Sequence, residues 1–291
     1  MIFRNYTDAD YDAVCNFLIE LNEKDCCHIN WNWARFEWMY GHPLFDAGSR
    51  DAFGLWFSEG KVVGAAIYDM YFGEAFCGVL PEYDDLFPKV LQYAYEELRD
   101  DAGLGIAVCD GCAKEADTAT ALGFTRTKQT ETVMKLELIR PFSADLPHGF
   151  SISAFDPLED YEKLQWLFWQ GFDHGEDRSE FEKELKKNLQ LNLSPRPHFC
   201  RDLSLVAVAP DGEYAACCGL WYHDLTDYAY VEPVCTVPSC RKKGLARALL
   251  SEALNRAEKL GAKKAYVISD LPFYQDLGFQ KDHHYSFYRK P

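Results

Sequence analysis

Nothing in this sequence suggests a membrane span, which needs about 20 consecutive apolar residues. Its opening MIFRNYTDAD has neither the charged start nor the apolar stretch of a secretory signal. Positive charge is in short supply. The 30 Lys and Arg stand against 46 Asp and Glu, a formal net charge of −16. That balance argues against nucleic acid or an anionic lipid surface as the main partner, since both demand a positive field. It is compatible with a cationic substrate. The two best-known phosphate loops are also missing. No Gly-x-x-x-x-Gly-Lys-Ser/Thr occurs, and "GLGIAV" from Gly103 lacks the third glycine of a dinucleotide fingerprint.

Cysteine is not scarce, but its 11 residues are odd in number and several lie in apolar runs such as Cys217-Cys218. With no secretory pattern beside them they read as reduced, mostly buried thiols of a cytoplasmic protein. One Cys-x-x-Cys occurs, Cys109 and Cys112 in "IAVCDGC". No second pair completes a four-ligand zinc set and no thioredoxin-like context surrounds it, so it reads as a strand end and a turn, with no metal expected. A thiol-based sensor is its alternative use.

A chain of 291 residues makes about two ordinary domains. The pattern breaks at "LIRPFSADLPHGFSI", residues 138–152, where prolines and a glycine separate strand-like "TVMKLEL" from "FSISAF". Beyond it, Asp156 and Pro157 make a sensible helix start before "LEDYEKLQWLFWQGF", and "LSLVAVAPDGEYAACCGLWY" is a hairpin around Asp211-Gly212. "YAYVEPVCTV" is a further strand. Leu245, Leu249, Ala253, Ala257 and Leu260 mark one helix stripe stopped by Gly261. "KKAYVIS", "PFYQDLGF" and "YSFYR" read as strand, short helix and strand, with His283-His284 as a solvated turn and metal binding as its remote alternative. The first half repeats this order, and "ALGF" and "DLGF" close the two halves alike, which points to duplication.

The local exception to the acidic balance is "PSCRKKGLARALL", where cations crowd a helix start. The first amides of a helix have no internal partner and the dipole adds positive charge there. Gly244 and Ala246 keep bulk away, so a diphosphate could touch the backbone while the cations reinforce the field.

With "GAKKAYV" and "FYQDLGF" downstream, this stretch resembles the GNAT superfamily of acyl-CoA-dependent N-acyltransferases. Arg241-x-x-Gly244-x-Ala246 matches the family's pyrophosphate loop, Arg/Gln-x-x-Gly-x-Gly/Ala. The resemblance implies an α/β protein of two tandem GNAT-like domains, each a mixed, mostly antiparallel sheet flanked by helices. Residues 150–291 would form the working domain and residues 1–140 a degenerate copy. In that copy Asp84 falls at the Arg241 position, Phe87 at Gly244 and Lys89 at Ala246, so CoA is not expected there. Its role would be structural, or to wall the acceptor site.

The resemblance also implies acetyl-CoA as cosubstrate. Its diphosphate would meet Arg241, Lys242, Lys243, Gly244, Leu245, Ala246 and Arg247, and its arm and carbonyl oxygen the amides around Val234, Cys235, Thr236 and Val237. Glu232 is the expected base, because apolar surroundings favour the neutral form of a carboxylate; an ion pair with a neighbouring strand is its other reading. Tyr274 resembles the family tyrosine that protonates the leaving thiolate, although the stretch before it is shorter than usual. His223 is a reserve base. Trp31, Trp33 and Trp38 could cage an amine but fit a core better, and Trp166 and Trp169 could line a pocket or pack on the sheet. The charge run 176–187 is a helix with salt-bridging faces.

The expected reaction is acetyl transfer to a small primary amine by direct attack in a ternary complex. The acidic balance mildly favours a cationic acceptor. The alternative is a non-catalytic acyl-CoA-binding or regulatory module. Oligomeric state is not readable from the chain.

Overall fold

A computed structural model describes residues 1–291 apart from 43, 140, 144 and 189–196. The chain forms two compact units. The first comprises Met1–Met134 with Ile268–Pro272 and Lys281–Pro291; the second comprises Lys135–Val267 with Phe273–Gln280.

In the first unit, β1 (Ile2–Asn5) leads to α1 (Tyr11–Lys24) and α2 (Trp33–Gly41), then to β2 (Gly54–Ser58), β3 (Lys61–Tyr68) and β4 (Ala75–Val79). These four strands form an antiparallel sheet in sequence order. The β2–β3 turn is Glu59-Gly60, both at positive φ (52° and 83°), the two-residue turn whose twist suits a hairpin. Asn32 caps α2 by accepting from the amides of Ala34 and Arg35 at 3.0 and 3.1 Å. Trp31 and Trp33 are buried, Trp31 stacking on Phe76, and Trp38 is half-buried, so this aromatic run is largely core. After β4 come α3 (Phe87–Glu97), β5 (Leu104–Cys109), α4 (Ala113–Ala121) and β6 (Thr125–Glu137).

The second unit contains β7 (Ser151–Ala154), α5 (Tyr161–Gly171), α6 (Arg178–Asn188), β8 (Ser204–Val208) and β9 (Tyr214–Tyr222). They are followed by β10 (Tyr228–Thr236), α7 (Leu245–Leu260), β11 (Lys264–Ile268) and α8 (Pro272–Gln275). Strands β7 to β10 are antiparallel neighbours in order, and β11 lies parallel to β10. A parallel neighbour needs a crossover, and α7 supplies it. The last strand, β12 (Gln280–Lys290), pairs antiparallel with β5 and stands between β5 and β6, which assigns it to the first unit.

Several local expectations shift. The helix expected from Asp156 begins at Tyr161, because Asp156 Oδ1 accepts from the amides of Leu158 (2.9 Å) and Glu159 (3.2 Å) and holds a turn of its own. In α7, Leu245, Leu249, Ala253 and Ala257 are buried but Leu260, beside the αL cap Gly261, is 50% exposed. His283 and His284 lie within β12 rather than in a turn. The linker is tied down at Phe142, whose amide and carbonyl both bond Asn255 of α7 at 2.8 Å. Residues 140 and 144 of that linker lie outside the described residues. Arg178 of α6 pairs with Glu162 and Glu182, and among the described residues no helix is long and apolar enough to cross a membrane.

Candidate active site

Strand β10 loses both of its neighbours in the middle of its run. Its pairing with β9 shifts register between Val231 and Val234, and the intervening Glu232–Pro233 bond is cis. Pro233 has no N–H to give to a ladder, which suits a bulge. Gly219 of β9 makes the bulge possible: a Cβ there would come 2.7 Å from the Glu232 carbonyl oxygen and 2.9 Å from Pro233 Cδ. Trp221 Nε1 donates to that same carbonyl at 2.9 Å. On the other side, pairing with β11 runs from Tyr228 to Tyr230 and goes no further. Residues 231–236 therefore present one backbone edge without a strand partner among the described residues.

Which amides face that edge follows from the pleat. The Val237 N–H is bonded to Ala215 O at 3.0 Å, which corrects the expectation that this amide is open. Alternation then turns the amides of Val234 and Thr236 to the free side. The Cys235 side chain is buried with its Sγ 3.5 Å from Cys217 Sγ, so it presents no thiol to a ligand.

The loop after β10 takes the form the sequence suggests. Pro238–Cys240 is a 3-10 turn, Lys242 and Gly244 have φ of 61° and 86°, and α7 begins at Leu245. Gly244 caps the helix without a side-chain bond, and a Cβ added there would meet nothing within 4 Å. Among the described residues, no acceptor on the chain takes the amides of residues 242–247. Lys242 and Lys243 are exposed, Leu245 is buried, Ala246 is half-buried, and Arg247 is exposed and donates to Asp276 O at 3.0 Å. Arg241 behaves differently from the reading that aimed it at phosphate. Its Nε donates to Thr236 O (3.1 Å) and its Nη2 to Gly171 O (3.0 Å) and Asp173 Oδ1 (2.7 Å). It fastens the loop to the end of α5.

Glu232 is half-buried beside the free edge. Tyr274, on α8, is 7% exposed, and its hydroxyl has no hydrogen-bond partner among the described residues. Burial holds its ionisation above the ordinary phenol value, with further upward contributions from Cys218, Glu232 and Cys217. The phenol thus stays protonated and shares its surroundings with Glu232. His223 Nδ1 accepts from the Leu225 amide at 3.1 Å and lies 3.0 Å from Asp224. Trp166 and Trp169 pack on Phe181.

The corresponding stretch of the first unit is closed. Phe87 opens α3 with its ring buried, its amide is bonded to Asp84 O, and the Asp84 carboxylate pairs with Lys114 at 3.0 Å. The sequence reading missed Gly171, Asp173, Gly219 and Trp221 as supports of the site, since their roles depend on neighbours far along the chain. It also missed a meeting of Cys109 and Cys112 with Cys27, for which the Cys26-Cys27 doublet was the available signal.

Comparison with known proteins bears on the same region. Residues 158–279 match the Acetyltransferase (GNAT) family. No curated protein matches the chain. Among solved structures, a GCN5-related N-acetyltransferase from Sphaerobacter thermophilus is similar at TM-score 0.61 and 18% identity, covering 99% of this chain and 95% of that one. A tandem GNAT protein from the clavulanic acid biosynthesis pathway is similar at TM-score 0.63 and 15% identity, covering 99% and 98%. A GCN5-related N-acetyltransferase from Kribbella flavida gives 0.53 and 17%, over 79% and 88%. Residues 158–279 thus carry the match to the GNAT acetyltransferase family, and over nearly its whole length the chain has a fold similar to that of a tandem GNAT protein.

Proposed function

We propose that the second unit transfers an acetyl group from acetyl-CoA to a small primary amine by direct attack in a ternary complex. The observation that carries this reading is the set of unclaimed amides at residues 242–247, beside the unpaired edge of β10. A diphosphate suits the first feature, because amides at a helix start carry partial positive charge and Gly244 leaves the approach clear. An extended, amide-bearing arm suits the second, by adding to a free strand edge at Val234 and Thr236.

The thioester supplies an activated acyl group; the chain's own residues manage protons and position. An amine is nucleophilic only after deprotonation, and Glu232 is the acceptor for that proton, directly or through one water. The departing thiolate needs a proton in turn. Tyr274 holds one on an oxygen that has no hydrogen-bond partner among the described residues, in surroundings that oppose its ionisation. Lys242 and Lys243 contribute field rather than fixed contacts, being exposed at the loop. With Phe87 and Asp84 at the equivalent place, the first unit binds no CoA, so one site per chain is expected. The acceptor class follows from charge: a net −16 favours a cationic amine.

Calorimetry with CoA followed by thiol release from acetyl-CoA across a panel of amines tests the reading. Binding at one site per chain and amine-dependent thiol release are expected. Heat without release would reduce the second unit to an acyl-CoA-binding module, and no heat at high protein concentration would remove CoA altogether.

A further inference from the structure

Three thiols converge in the first unit. The Sγ atoms of Cys27, Cys109 and Cys112 lie within 4.8 Å of one another. They arrive from separate places. Cys27 sits in the 3-10 turn Cys26–His28 after α1, Cys109 ends β5, and Cys112 immediately precedes α4. Each is held there by its backbone. The Cys112 amide donates to Cys109 O at 2.8 Å, closing the turn, and the Cys27 amide donates to Asp25 Oδ1 at 3.0 Å. Gly111 lies over the group: a Cβ there would stand 3.8 Å from Cys109 Sγ and 4.0 Å from Cys27 Sγ.

Ordinary core packing does not call for this arrangement. Thiols are weak donors and weak acceptors, so three of them gain little from facing one another. A tetrahedral zinc ion explains it, since Zn–S bonds of about 2.3 Å set neighbouring sulfurs about 3.8 Å apart. The burial fits as well: Cys109 is buried while Cys27 and Cys112 are half-buried, which leaves an ion a way in.

A fourth ligand is offered by the neighbouring strand. Tyr285 of β12 stands directly opposite Cys109, and the Asp110 amide donates to His284 O at 2.9 Å as the pairing continues. His283, two residues before Tyr285, therefore lies on the same face of the sheet as Cys109; its ring nitrogens stand outside the 4.8 Å group of sulfurs and close on it when the metal binds. Its Nδ1 is 2.7 Å from Asp282 Oδ2, the carboxylate contact that fixes a ligating imidazole and leaves Nε2 for the metal. Asp110 is not a rival ligand, because Ser286 and His284 occupy its oxygens at 2.6 and 2.7 Å.

We propose that Cys27, Cys109 and Cys112, completed by His283, bind one zinc ion. Four protein ligands leave no open position, so the site is structural. It pins the turn after β5 to the turn after α1 and to the last strand of the chain, segments far apart in sequence. Each thiol gives up its proton to the solvent as it takes the metal, so binding tightens as pH rises.

The full-length protein, purified in reductant without chelator, is assayed for metal, stripped, and titrated with cobalt(II). One metal per chain is expected, with a near-ultraviolet sulfur-to-cobalt charge-transfer band, visible bands of a tetrahedral ion, and a higher melting temperature on adding zinc. Cys27→Ser and Cys112→Ser should each weaken the band and lower affinity by more than about tenfold, since even groups that only orient ligands contribute that much. His283→Ala should keep the charge-transfer band and shift the visible ones. Cys26→Ser, at an exposed neighbour, should change neither. Circular dichroism identifies a variant that has not folded, and the titration of the unaltered protein stands without any variant. Absence of metal and band in the unaltered protein overturns the site, as does a band that survives Cys27→Ser or a Cys109–Cys112 disulfide found under these reducing conditions. CoA binding should be the same in every variant, so failure here is separate from failure of the acyltransferase reading.

Discussion

Arg241 and Asp173 are joined at 2.7 Å, and the guanidinium also holds the carbonyls of Gly171 and Thr236. The first cation of the loop is thus committed to the protein, fixing the path along which the amides of 242–247 are displayed. Arg241→Ala should weaken CoA binding about fivefold, the upper end for a partly exposed ion pair at ~1 kcal/mol. Asp173→Asn should cost less than about twofold, and Arg241→Lys should not restore the wild-type value because an ammonium cannot span three acceptors. Calorimetry reads all three. Complete loss in Arg241→Ala beside a neutral Asp173→Asn would mean that the guanidinium meets the phosphates itself.

Gly244 bears on both stability and ligand. With φ at 86°, an alanine there strains the backbone by ~1 kcal/mol. Its methyl would also stand in the open approach to the loop. Gly244→Ala should lower unfolding free energy by that small amount while reducing CoA affinity more than tenfold, about 1.4 kcal/mol or beyond. Equal effects on the two measurements would argue against a ligand at this place.

Proton handling separates Tyr274 from Glu232. Tyr274→Phe should lower kcat by about 10²-fold with KM for acetyl-CoA unchanged. Because burial raises the phenol, Tyr274 should contribute no break to the pH–rate profile below its ordinary value of about 10. Glu232→Gln should lower kcat by a similar factor with KM for acetyl-CoA unchanged. A full-rate Glu232→Gln enzyme at every pH would return that carboxylate to a structural role.

Gly219 lies against the Glu232 carbonyl more closely than any side chain permits. Gly219→Ala places a methyl 2.7 Å from that oxygen and 2.9 Å from Pro233, and both are backbone-fixed. The expected loss is ~1–3 kcal/mol, as for other overpacked sites, seen as a lower denaturation midpoint. The bulge should move with it and carry Glu232 away, so kcat should fall even in the folded fraction.

Acid stability has a defined contributor in the first unit. Asp10 is lowered from 3.8 to about 2, first by its bonds from Arg4 and then by the hydroxyl and amide of Thr7. A folded value below the unfolded one means the folded state favours the carboxylate. Its contribution is present above pH ~4 and lost as pH falls towards ~2. Asp10→Asn should flatten stability across that window and leave the slope above pH 5 unchanged, as followed by denaturant melts.

Much of the candidate site is readable from neighbouring residues alone. Asp211-Gly212 announces a hairpin, Gly244 and Gly261 bracket α7, and a proline after Glu232 marks a strand that cannot continue its ladder. These signals work because φ preferences and missing N–H groups act within a few residues. The same local logic misjudged Asp156, where a side-chain turn competes with the helix start, and Leu260, which the apolar stripe assigns to the core but which lies exposed at the end of the helix.

Other features depend on pairing between distant segments, and no pattern within a window carries them. Whether Arg241 reaches a phosphate or Asp173 depends on where α5 ends. The free edge of β10 exists because β11 leaves it after Tyr230, and Gly219 matters only because Glu232 packs against it. Cys27, Cys109 and Cys112 meet through strand register and helix packing, interactions whose entropy of closure is met by the whole core rather than by any short stretch. The order of residues therefore carries the type of each element and the chemistry it can hold, while the packed chain chooses which of those groups face one another.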